Sequence, residues 1–188
     1  MGQSQSLKMK ELIPELKRIV GDDYVLDDEA DLLVYEYDGS IDRGNPVVVI
    51  LPNTAKEISQ VLKLARLNSI PVVARGAGTG LSGGAIAEHG GIVLSMARMN
   101  QILEVNRSDR YAVVEPGVVN LDLSTHVASE GLYYAPDPSS QRACTIGGNI
   151  AENSGGPHCL AYGVTTNHVL GMEVVLADGS ITWFGDNE

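Results

Sequence analysis

The sequence predicts an α+β fold, and three observations carry that prediction. Residues 47–74 read as a β-α-β unit, residues 101–115 and 169–184 read as two antiparallel hairpins, and no repeating strand–helix alternation connects them. The chain therefore starts like an α/β protein and continues as an antiparallel one.

The elements follow in order. Residues 7–20 put Leu12, Leu16 and Ile19 on one helical stripe that Gly21 stops, while Pro14 either kinks this helix or delays its start. A second helix is expected over 28–35 and a polar loop over 38–46, so that residues 1–45 form an N-terminal helical segment. Residues 47–51 are continuously apolar, as in a strand buried on both faces. Thr54 and Glu57 make a capping box, followed at helical spacing by Ile58, Val61, Leu62 and Ala65. Residues 70–74 form a second buried strand, giving a parallel pair with a right-handed crossover. A short strand is expected at 92–95, and 101–106 with 111–115 alternate apolar and polar residues as a hairpin does. Asn120 is expected to cap a helix carrying Leu123 and Val127 that ends near Gly131. Residues 169–176 and 180–184 flank an Ala-Asp-Gly turn, the last hairpin.

Composition removes several function classes. The net charge is −11, which argues against a nucleic-acid binder because phosphates demand a basic face. Nine carboxylates fall within residues 22–42 without a Lys or Arg, and the simplest reading is a solvated face, not a metal site. No apolar run is long enough to span a bilayer and the N-terminus lacks a signal sequence, so the chain is expected to be cytoplasmic and not transmembrane. Cys144 and Cys159 lack metal-ligand spacing and read as reduced thiols. His89, His126 and His168 have no partner spacing for a triad or metal, and His158 is read as a packing or surface residue.

The most telling stretch is RGAGTGLSGG at 75–84, directly after the second strand, with five glycines in ten residues. Glycine lets successive N–H groups turn inward and line an anion nest, here most plausibly for a diphosphate. Gly78, Gly80 and Gly83 satisfy G-x-G-x-x-G, yet the dinucleotide fingerprint also needs a helix behind the third glycine. Residues 84–91 (GAIAEHGG) leave no room for it before the next strand, and Lys is absent after Lys63, which removes a P-loop lysine. A second cluster, CTIGGNIAENSGGP at 144–157, follows the rigid turn PDPSS at 136–140. Two such clusters suit a long, bent ligand with a polar middle, and a flavin dinucleotide has that shape.

Taken together, RGAGTGLSGGA (75–85), PDPSS (136–140), residues 144–179 and PNTAKEISQVLKLA (52–65) resemble the FAD-binding domain of FAD-linked oxidases, the vanillyl-alcohol oxidase (PCMH) type. The closest likeness is to glycolate oxidase catalytic subunits and D-2-hydroxyacid (D-lactate) dehydrogenases. The resemblance implies two α/β subdomains, about 46–105 and about 106–188 of a domain spanning 46–188, with FAD between them and no cap domain present. It also implies that Gly76, Ala77, Gly78, Thr79, Gly80 and Ser82 hold the pyrophosphate, with Arg75 either adding charge there or making a structural ion pair. Pro136, Asp137, Ser140, Thr145, Gly147, Gly148, Asn149, Asn153, Ser154 and Gly155 line the ribityl and flavin region, and Gly163 and Val169 add backbone contacts. Relatives that tether FAD through histidine carry it where Thr79 stands, and Cys144 is out of step with relatives linked through cysteine, so the FAD is expected to be non-covalent. The implied activity is oxidation of a 2-hydroxy acid, with electrons leaving to an acceptor or partner subunit other than NAD. This stretch alone is expected to be inactive without the substrate domain. Two alternatives stay open: a UDP-N-acetylenolpyruvoylglucosamine reductase-like FAD domain, and a non-catalytic nucleotide-binding accessory subunit. The Asn-Ser-Gly-Gly-Pro and Tyr-Gly-Val-Thr motifs favour the hydroxyacid branch.

Overall fold

The computed structural model describes residues 3–185, with side chains at Met9 and from Glu11 onward. They divide into two units, one reaching to Arg98 and rejoined by the stretch from Gly171, the other covering Met99–Leu170.

In the first unit, α1 (Gln3–Val20) buries Met9, Leu16 and Val20 and packs on the later helix of this unit. Pro14 lies inside α1, so the helix does not start late; the ladder loses one N–H at that residue, and Arg18 Nε donates to the Pro14 carbonyl at 3.3 Å. Gly21, at φ +96°, ends it. A short strand β1 (Val25–Leu26) leads to α2 (Glu29–Leu32), capped by Asp28, whose side chain accepts from Ala30 N at 2.9 Å. A 3-10 turn over Leu33–Tyr35 completes the predicted second helix.

Strand β2 (Val48–Ile50) is wholly buried, as its apolar run requires. Helix α3 (Ala55–Leu67) begins as the capping box predicts: Thr54 Oγ1 accepts from Glu57 N at 3.1 Å, and Glu57 reaches back to Asn53 N at 2.7 Å. Ile58, Val61 and Ala65 are its buried face. Strand β3 (Val72–Arg75) and strand β4 (Ile92–Ser95) complete a four-stranded sheet in the order β1-β2-β4-β3. Two expectations need correction here. β2 and β3 run in the same sense but do not touch, because β4 inserts between them and pairs in parallel with both. β3 is therefore an edge strand, half-buried at Val72 and Val73 and exposed at Ala74, whereas β4 is buried throughout. Val49, Val93 and Ala87 form the centre of this core, with Leu26, Leu32, Tyr35, Leu51 and Val73 packed on it.

The second unit contains a hairpin of β5 (Ile102–Asn106) and β6 (Tyr111–Val114), bulged between Ile102 and Glu104, as the alternation predicts. Helix α4 (Asn120–Val127) follows and ends through a 3-10 turn at Gly131, φ +73°. Asn120 does not cap it. Val119 is the capping position, and Asn120 is 1% exposed, its amide turned into the core. Helices α5 (Ile146–Glu152) and α6 (Cys159–Tyr162) complete the unit around Val118, Leu123 and Ile146.

The closing hairpin, β7 (Gly171–Val175) and β8 (Ile181–Gly185), returns to the first unit. Its turn rests on α3: Ser59 Oγ donates to the Gly179 carbonyl, and a Cβ on Gly179 would lie 2.8 Å from the Ser59 carbonyl. The closing hairpin is accordingly part of the first unit.

Candidate functional site

The glycine loop leaves the end of β3 and reaches β4 without a helix, as the sequence required. Its backbone is the notable feature. Among the described residues, the N–H groups of Ala77 through Gly84 make no hydrogen bond within the chain. Gly78 and Gly83 sit at φ +68° and +74°, and a Cβ on Gly80 would meet nothing within 4 Å. A half-exposed row of eight donors with no partner in the chain is thus gathered on one glycine turn.

Arg75 does not point toward this opening. It is 7% exposed and donates from Nη1 to the Tyr37 carbonyl at 2.8 Å and from Nη2 to the Val34 carbonyl at 3.4 Å. Its Cζ lies 5.4 Å from the Tyr35 ring centroid. Burial pulls its pKa down, and Tyr35, Asp38 and Tyr37 oppose that pull. The guanidinium stays charged, as arginine does in proteins.

The second cluster is built differently. Thr145, 7% exposed, caps α5 by accepting from Gly148 N at 3.3 Å. Gly147 is packed so that a Cβ would lie 2.7 Å from Pro116 Cβ, and its N–H is spent on the Pro116 carbonyl. Asn149 is 2% exposed and its Oδ1 accepts from Asn120 Nδ2 at 2.9 Å; the same Asn120 amide donates to the Pro136 carbonyl at 2.9 Å. Asn153, at φ +49°, ends α5, and its Oδ1 accepts from Thr166 N. The Ser154 carbonyl accepts from both the amide and the hydroxyl of Thr165. A Cβ on Gly155 would press on Cys159 Sγ, and one on Gly156 would fall onto the Asp137 carbonyl. Asp137 holds His158 twice, through His158 N at 3.1 Å and His158 Nδ1 at 2.8 Å. Gly163, φ +82°, ends α6; Ser140 supplies the carbonyl that turns the chain toward Cys144, and Val169 is half-buried ahead of β7. Within the second unit, hydrogen bonds thus tie together Pro136, Asn149, Asn153, Ser154 and the Asp137–His158 pair, while Gly155 is held by packing. Burial pushes the Tyr134 phenol up, against a hydrogen bond to Thr165.

Cys144 is a buried thiol 3.7 Å from Asn149 Oδ1. Sequence reasoning missed Asn120, the Asp137–His158 pair and the segment 34–45 beneath the glycine loop.

Comparison with known proteins decides the family. Residues 46–185 match the family described as FAD binding domain. The chain belongs to that family. The matched stretch contains both glycine-rich clusters. The chain is 44% identical to the glycolate oxidase subunit GlcD of Escherichia coli (strain K12) over 182 residues, 96% of this chain and 35% of that protein. It is 46% identical to GlcD of Bacillus subtilis (strain 168), over 92% of this chain and 37% of the relative. A D-lactate dehydrogenase of Anaerostipes hadrus is 36% identical over 95% of this chain and 36% of its own length. Among solved structures, 4-ethylphenol oxidase from Gulosibacter chungangensis superposes with a TM-score of 0.79 at 30% identity, over 94% of this chain and 35% of that one. Alkyldihydroxyacetonephosphate synthase reaches a TM-score of 0.85 at 21% identity, over 95% and 35%, which is likeness of fold. The FAD-binding domain therefore spans about a third of the length of the curated relatives it matches. Among the described residues no helix is long and apolar enough to cross a membrane, and no group of His, Cys, Asp and Glu is placed to hold a metal.

Proposed function

We propose that this chain holds FAD non-covalently, as the cofactor-binding part of a flavin enzyme that oxidises a 2-hydroxy acid of the glycolate or D-lactate type to its 2-oxo acid. The observation that carries the proposal is the row of free amides from Ala77 to Gly84 at the end of β3. In this reading the amides of Gly76 to Gly80, with Ser82, take the two negative charges of the pyrophosphate. Backbone donors do this without bringing a mobile cation into the site. The second unit, from Pro136 to Val169, serves the ribityl and flavin end. There Asn149, Asn153 and Gly155 act by holding the turn in shape. Bound FAD supplies the acceptor for an electron pair, and the chain supplies orientation and charge matching.

Identity of 44% and 46% to glycolate oxidase subunits supports the hydroxy-acid substrate class, and their designation as subunits supports transfer of electrons within an assembly. Thr79 and the buried Cys144 support a cofactor held without a covalent bond. Two free thiols fit residence in the reducing cytoplasm.

Titration with FAD, followed by flavin fluorescence, tests the reading. Saturable uptake and release of intact FAD by acid are expected, with Gly80→Val weakening uptake about tenfold or more because its side chain enters the open face. A wild-type chain that takes up no FAD, or one that keeps its flavin after acid precipitation, overturns the corresponding half of the proposal.

A further inference from the structure

Beneath the glycine loop runs a segment that composition marks only as polar. Of the nine carboxylates within residues 22–42, Asp38 alone is buried, at 7% exposed. Its Oδ1 accepts from Ser40 N at 2.7 Å. Its Oδ2 is buried with no partner among the described residues. The next residue, Gly39, lies so close to the loop that a Cβ would sit 2.7 Å from the Gly80 carbonyl and 3.0 Å from the Thr79 carbonyl. A Cβ on Gly44 would sit 2.6 Å from Ala87 N, and Asn45 N donates to the Ala87 carbonyl at 2.9 Å. The segment is itself closed by a bridge between Tyr37 and Arg43 and by Gly44 N donating to Glu36 O at 2.6 Å. Arg75 ties its other end, gripping the carbonyls of Tyr37 and Val34 while its guanidinium occupies the space a Cβ on Gly78 would need.

We infer that residues 34–45 are a brace that sets the shape of the glycine loop before any ligand arrives, with Arg75 as its positioning residue. The inference rests on reading that loop as the phosphate site. The brace meets the loop at its entry (Arg75 and Gly78), its middle (Gly39 against Thr79 and Gly80) and its exit (Gly44 and Asn45 against Ala87). A turn with eight unpaired amides and several glycines has many alternative shapes, and a ligand's apparent affinity falls by the fraction of time the right one is absent. Clamping both feet and the middle removes those alternatives without spending the amides. The charges obey the same logic. Arg75 directs its donors inward to the Tyr37 and Val34 carbonyls, so the anion is left to the amides. Its charge also favours the ionised form of the buried Asp38, so without it less opposes that carboxylate behind the anion site.

The test uses the full chain carrying Arg75→Met, Gly39→Ala, and Arg75→Met with Asp38→Asn, read by hydrogen exchange without ligand and by FAD titration. Exchange at the amides of Gly44, Asn45 and Ala85 is expected to quicken about tenfold in Arg75→Met and Gly39→Ala while β2 and β4 keep their protection, and FAD affinity is expected to fall about tenfold alongside. Asp38→Asn is expected to restore part of the affinity lost in Arg75→Met, a rescue that loss of packing alone would not give. Unchanged exchange with weakened FAD binding overturns the brace and makes Arg75 a direct phosphate contact. Gly39→Ala, which removes no charge, decides the matter if Arg75→Met does not fold. A wild-type chain that binds no FAD defeats the phosphate reading alone, and the ligand-free exchange still decides the brace.

Discussion

The two glycine-rich clusters look alike as sequence and differ as physics. At 75–84 the glycines leave amides unspent, and Gly80 faces open space. At 144–157 nearly every small residue is small because another part of the chain occupies the room: Pro116 against Gly147, Cys159 against Gly155, Asp137 against Gly156. One cluster is an open turn with amides to spare; the other is a packed joint that holds itself. Glycine content therefore marks two different needs, freedom of the backbone for a ligand and close approach of one backbone to another.

The contrast is broken most forcefully at Gly156. Gly156→Ala puts a methyl group on the Asp137 carbonyl, a backbone atom that cannot swing aside. A loss of about 3 kcal/mol is expected, read as a lowered melting temperature in thermal unfolding. An unchanged melt would show that the joint is soft and that the two clusters do not differ as described.

Asn120→Ala probes the same joint through its polar core. It leaves the Pro136 carbonyl and Asn149 Oδ1 buried without their donor, at an expected cost of ~2 kcal/mol in denaturant unfolding. Asn149→Ala in the same background should then add little, because the pair acts as one unit.

Local signals were read correctly where the cause is local. The Thr54–Glu57 box, the runs of β2 and β4, the Asp-Gly turn of the last hairpin and the missing helix after Gly84 each depend on a few adjacent residues. What sequence reading missed has its cause elsewhere in the chain. Asn120 is a capping residue by type, and its burial follows from Asn149, 29 positions away. The edge position of β3 follows from the insertion of β4, which no local pattern encodes. Asp38 sits in a run of mostly exposed carboxylates, and its burial follows from the packing of its own segment against the glycine loop across the fold, where the next residue, Gly39, meets the Thr79 and Gly80 carbonyls. For the site, the glycine loop could be read from sequence, but the inward turn of Arg75 could not.

A smaller effect is confined to acid. Burial alone would raise the Asp38 pKa, but the Ser40 hydrogen bonds, the Ala85 amide and Arg75 outweigh it and hold the carboxyl below its ordinary value. A carboxyl depressed on folding stabilises the fold above its unfolded value near pH 4 and loses that contribution as pH falls through the folded value. Asp38→Asn should therefore flatten the acid limb of a stability-against-pH profile and leave the neutral region nearly level. A profile that stays parallel to wild type through the acid range would remove Asp38 from the electrostatics of the brace.

The smallest expected effect on stability is the sharpest on the comparison. Gly80→Ala adds the same methyl group as Gly156→Ala, at a position where it meets nothing within 4 Å and where no left-handed backbone is demanded. Its melting temperature should match wild type to within about 0.5 kcal/mol of stability. FAD affinity should nevertheless fall, since the methyl group stands where the diphosphate is to lie. The same substitution thus costs the fold in one cluster and the ligand in the other. If Gly80→Ala instead lowers the melt as Gly156→Ala does, the loop is a packed element like the joint, and its free amides are not held open for an anion.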